Sequence, residues 1–232
     1  MTVEAESARK SRSFEVLTAS GIVVLIILML VMVLHHPVAG QKDAAAIVES
    51  IARQASAIRF VHGTVAAAMT VMTSLMLGFA IRLDLARPHV LLGAVSSGFA
   101  LIMICFAVLL DGFVAPELAI KCTNIGGDCV GPTQTMLRYG GVQIEFMTRF
   151  GLLALAAATA LWASDLVLRK DSARIFGALG MASAVVQFGL LVSGDRLDPH
   201  SLALIVTAQA VWYASVGAMV ILRKGPYAVS AI

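Results

Sequence analysis

The chain has 232 residues, of which 59% are hydrophobic and 13% charged, and its mean hydropathy is +0.90, whereas soluble domains carry roughly 25% charged residues. No water-soluble core absorbs that much apolar surface, so the composition excludes a soluble globular protein and points to one helical domain, residues 1–232, in a lipid bilayer. The net charge is only +3, and the basic residues flank apolar runs instead of interleaving with aromatics, which argues against nucleic acid as a partner.

A spanning helix needs about 20 apolar residues. The first such run, 17–34, follows Arg9, Lys10 and Arg12. It exceeds the roughly 7–15 residues of a signal-peptide core. We read it as an uncleaved anchor, with cleavage near Ala39 and Gly40 as the alternative. Residues 42–58 then place Ala46, Ile47, Ile51 and Ala55 at helical spacing, which predicts a short amphipathic helix on the outer membrane interface. Further spans are expected at 60–81, 90–110, 148–168, 175–192 and 201–222, making an all-α bundle of six transmembrane helices. Gly63 with Ala67 and Gly180 with Ala184 are small-residue pairs of the kind that lets helices approach in lipid.

Arg82 and Arg87, then Arg169, Lys170 and Arg174, and finally Arg223 and Lys224 fall in short connections on the side of the N-terminal cluster. The other side receives the longer segments 35–59 and 111–147. Positive residues in short loops stay inside, so both termini are expected in the cytoplasm. The short basic loops and Ala-rich spans suggest the cytoplasmic (inner) membrane of a bacterium. A membrane protein partner or a homo-oligomer is compatible with this reading.

Cys122 and Cys129 lie in the second outer segment, where Gly126 and Gly127 supply a turn. Outside the membrane a disulfide suits them. The competing reading, half of a zinc site, lacks the CxxC spacing and a second pair. Cys105, inside the third span, reads as a small buried apolar residue.

Counting 20 residues up the second span from Arg82 reaches His62. Similar counts reach Asp111 on the third and Glu145 and Arg149 on the fourth, while the first ends at His35 and His36 and the sixth begins at Asp198, Pro199 and His200. Imidazoles and carboxylates of five helices thus share one depth. Such groups are the usual ligands of transition metals, and paired imidazoles hold haem iron. His62, Asp111 and Glu145, completed by His36 (or His35) or His200, are therefore candidate metal or haem ligands. The plainer readings are that His35, His36 and His200 mark where lipid ends and that Glu145 and Arg149 form a structural ion pair. His62 and Asp111 are less easily dismissed, because apolar chain continues beyond each. No HExxH, GxSxG or phosphate-binding glycine loop occurs.

Deeper in the spans lie Thr70, Gln187 and Gln209, expected to bond to neighbouring helices. Asp165 and Arg169 are spaced for an interfacial pair, and Trp212 and Tyr213 for packing. The functional expectation is an outward-facing His/carboxylate pocket, with a metal ion or haem serving redox or hydrolytic chemistry on a lipid-soluble substrate. The alternative is a non-catalytic partner subunit, assembly factor or small-solute permease.

Overall fold

The computed structural model describes residues 3–34, 43–126, 129–169, 171–193, 197 and 199–227. These fold as α1 (Val3–Leu34), α2 (Ala44–Arg53), α3 (Ala55–Leu83), α4 (Pro88–Leu109), α5 (Ala115–Ile125), α6 (Val130–Val167), α7 (Ala173–Val192) and α8 (Pro199–Leu222). A π-helical turn, Leu110–Val114, joins α4 to α5, and a 3-10 turn follows at Gly225–Tyr227. No strand occurs among the described residues. Among the described residues, six stretches are long and apolar enough to cross a membrane, from Glu15–Leu34 to His200–Tyr227.

The helices close a ring in which α1 packs on α3, α3 on α4, α4 on α6, α6 on α7, α7 on α8 and α8 back on α1. Large side chains fill its interior: Met72, Met76, Phe79, Trp162 and Trp212 are each at most 1% exposed. Phe79 meets both tryptophans edge to face, at centroid distances of 6.3 and 5.8 Å, the arrangement favoured by the ring quadrupoles. Trp212 and Tyr213 are packing residues, as expected. The outer surface exposes Leu92, Val95, Val185 and Phe188, which is the surface a bilayer covers at no cost. At Gly180 a Cβ would lie 2.5 Å from the Trp212 ring, so α7 and α8 meet there only because the residue is glycine. Gly63 is different: a Cβ would meet only Phe113, at 3.8 Å, and no close approach depends on it.

One end of the bundle is held by ion pairs. Asp165, whose side chain is 3% exposed, accepts from Arg87 (2.7 Å), His89 (3.1 Å) and Arg169 (3.1 Å). The carboxylate holds the Arg87 guanidinium pKa above its ordinary value. Glu15 pairs with Arg223 at 3.0 Å, bringing the start of the first span to the end of the last.

At the opposite end the helices outrun the bilayer. Pro88–Ile125 and Val130–Val167 each have 38 residues, about 57 Å at 1.5 Å per residue against roughly 30 Å of hydrocarbon. The segment 111–147, expected as a long outer connection, is therefore helical through most of its length. Apolar windows mark where lipid ends, and these helices continue past that point with polar residues such as Gln134, Arg138 and Gln143. The expected amphipathic helix is α2, capped by the Asp43 carboxylate, which accepts from the Ala46 N–H at 3.1 Å. It packs on α5 and α6. Its most buried residue, Val48 at 2% exposed, lies outside the predicted stripe and joins Ala119 and Cys122 in a small second core.

Cys122 and Cys129 are at disulfide distance, with Cα atoms 5.5 Å apart, and tie α5 to α6. Replacing both with serine is expected to destabilise this cap by about 2 kcal/mol, the loop-closure value for so short a loop. Hydrogen exchange should quicken in α2 and α5 and stay unchanged in the core of the six spans. Unaltered exchange in α2 and α5 would show that helix packing alone holds the cap.

Candidate ligand cavity and its polar pair

Between α4 and α5 the helix must accommodate Pro116, which has no N–H to donate and whose ring crowds the carbonyl four residues earlier, at Gly112. The chain responds with one widened turn, in which the Ala115 N–H reaches back five residues to the Leu110 carbonyl. Such π turns are frequent at functional sites. This one carries Asp111 onto the wall of an internal cavity. It also lies so close to α3 that a Cβ at Gly112 would collide with the Cβ of His62.

His62, itself 6% exposed, is fixed at both ring nitrogens. Nδ1 lies 2.8 Å from the Ile58 carbonyl, and Nε2 lies 3.0 Å from Asp111 Oδ2. A carbonyl only accepts, so Nδ1 carries a hydrogen. A proton must then also lie between Nε2 and Oδ2, because otherwise two lone pairs would face each other. The pair therefore holds that proton either as imidazolium and carboxylate or as neutral imidazole and carboxylic acid. Nearby charged groups are paired too: Arg59 with Glu117 at 2.8 Å, and Arg149 with Glu145 at 3.2 Å. Arg149 also donates to the Leu191 carbonyl at 2.8 Å, linking α6 to α7.

The cavity has a volume of about 510 Å³ and is walled by α1, α3, α4, α6 and α8, with α7 contributing nothing. That volume is in the range of small-molecule sites, about 300–1,000 Å³. Most of the wall is apolar, including Met29, Met69, Ile104, Leu155 and Ile205. Polar groups occur at its two ends. His62, Asp111 and Glu145 stand at the end nearer α2 and α5, and Gln209 and Tyr213 stand at the deep end. Gln209 shares hydrogen bonds of 3.3 Å with the Thr159 hydroxyl, so this amide joins α8 to α6 as expected. Gln187 instead donates within its own helix, to Ser183 at 3.0 Å, and does not reach the cavity. Thr70 bonds to the Ala66 carbonyl on its own helix.

His62 and Asp111 are thus brought together, and Glu145 lines the same cavity while forming the expected pair with Arg149. His200 is exposed at the start of α8 and is not part of the wall. His36, like His35, lies outside the described residues. Among the described residues no group of three or more His, Cys, Asp or Glu comes together in a way that could hold a metal ion. Asp165 forms the expected pair with Arg169, but its contacts with Arg87 and His89 went unread, as did Thr159. The only sequence signal for the former was a lone acid in an apolar span opposite a basic connection.

Fold and site together define an integral membrane protein: a ring of six helices, five of which wall a mostly apolar cavity with one His–Asp pair in its lining. No family model matches the chain, and neither does any curated protein or solved structure.

Proposed function

We propose that this protein binds a lipid-soluble molecule inside the helix ring, and that the His62–Asp111 pair receives its polar head and exchanges a proton with it. The observation that carries this reading is a pair sharing one proton on the wall of a cavity otherwise lined mainly by apolar side chains. Apolar cavities repel water, so an apolar body is the favoured occupant, and a hydroxyl or carbonyl beside the pair would give it orientation. With the basic connections in the cytoplasm, the pair stands in the outer half of a bacterial cytoplasmic membrane. A transition metal or haem bound through the His62–Asp111 pair is the competing occupant. An empty bundle serving as partner subunit, assembly factor or permease is the non-catalytic alternative.

Protein purified in mild detergent should release a stoichiometric amphiphile on organic extraction, identified by mass spectrometry. Ala210→Phe, which fills the cavity, should abolish the extract, and His62→Ala should reduce it at least tenfold. Absence of any amphiphile, or equal amounts from both variants, would overturn the proposal. Stoichiometric metal or a haem absorption band in the same sample would decide for the competing occupant.

A further inference from the structure

The cavity is polar at both ends, and the deep end lies far inside the membrane. Ile104 of α4 lies beside Gly151 of α6. Counting seven residues from each, in opposite directions, puts Asp111 level with Ile144 on these antiparallel helices. Thr159, the partner of Gln209, is fifteen residues further along α6 than Ile144, or about 22 Å. Allowing for side-chain reach, the two polar ends stand on the order of 15–20 Å apart, with a mainly apolar wall between them that carries Thr148.

Gln209 is 5% exposed and Tyr213 3%, yet both face the cavity. The Gln209 amide bonds to the Thr159 hydroxyl at 3.3 Å, long for such a bond. An amide offers two donor and two acceptor positions, and this one hydroxyl does not engage all of them. A polar group kept beside an apolar cavity this deep is costly unless a partner arrives.

We infer that the ligand is polar at both ends: its head meets His62 and Asp111, and a second hydrogen-bonding group, a hydroxyl or carbonyl at the far end of an apolar body, meets Gln209 and Tyr213. This rests on the ligand reading above and adds the class of molecule. A ligand with one polar end would leave the deep amide beside hydrocarbon, whereas one with two satisfies both ends and sets its own length.

Binding of linear alkane diols, hydroxylated at both ends, should be compared with that of the matching mono-alcohols, using protein in lipid nanodiscs and ligand-induced shifts in unfolding temperature. Diols of one optimal length should bind about tenfold more tightly than the mono-alcohols, roughly the contribution of one buried hydrogen bond. Gln209→Leu and, separately, Tyr213→Phe should reduce that advantage, taken as the ratio of diol to mono-alcohol affinity within each variant, with circular dichroism showing that each variant is folded. Mono-alcohols binding as well as diols, or a diol advantage that survives both substitutions, would overturn the second anchor and leave the ligand reading standing. Binding of neither series would overturn both.

Discussion

Asp165→Ala is expected to lower the stability of the folded bundle by about 3 kcal/mol, measured as lost resistance to denaturant in detergent micelles. Asp165 is the one acid that ties the end of α6 to the turn before α4, through Arg87, and to α4 itself, through His89, while Arg169 reaches back to it from the turn just after α6. Removing the carboxylate leaves three donors without this acceptor. The Arg87 and His89 side chains are 47% and 36% exposed, so both can return to water. The loss should therefore fall at the lower end of the 3–5 kcal/mol typical of a broken buried pair. Arg87→Ala should cost much less, because Asp165 keeps two of its partners and the Arg87 side chain is half-exposed. Equal losses from the two substitutions would refute the placement of Asp165 as the hub.

Gly112→Ala is expected to separate His62 from Asp111 and to lower ligand retention at least tenfold. The added methyl would occupy the space of the His62 Cβ, so either the π turn or α3 must shift. Overpacking of this kind costs about 1–3 kcal/mol. Because the collision is with Cβ, His62→Ala cannot relieve it and His62→Gly can. The double variant Gly112→Ala with His62→Gly should recover stability relative to Gly112→Ala alone while still failing to retain ligand. That coupling distinguishes a packing role for Gly112 from its role in positioning the pair. Full ligand retention by Gly112→Ala would remove the pair from the proposed function.

Which features were readable in the sequence follows from how far apart the interacting residues lie. The Asp165–Arg169 and Glu145–Arg149 pairs were readable because residues four apart share a helix face. The meeting of His62 with Asp111 was readable in depth only. Helices that cross the same bilayer with the same rise per residue bring equal counts to equal heights, and these two residues lie at the same height. Counting gives no direction around the helix axis. His200 therefore satisfied the depth rule yet is exposed outside the cavity wall, while Glu145 lines it. The contact of Asp165 with Arg87, across 78 residues, depends on which helices are neighbours in the ring, and hydropathy carries no record of that.

By itself the sequence determined that this protein is all-helical, with six stretches long and apolar enough to cross a membrane. These follow from the thickness of lipid and the cost of leaving backbone polar groups unpaired there. Tertiary structure alone decided that α5 and the start of α6 rise beyond the bilayer, that Pro116 and Gly112 yield a π turn bearing Asp111, and that α7 stays out of the cavity wall. Each depends on helix rotation and neighbour choice. In lipid these are set by close packing of particular side chains, as where Gly180 admits Trp212, and a uniformly apolar sequence gives them no periodic signal.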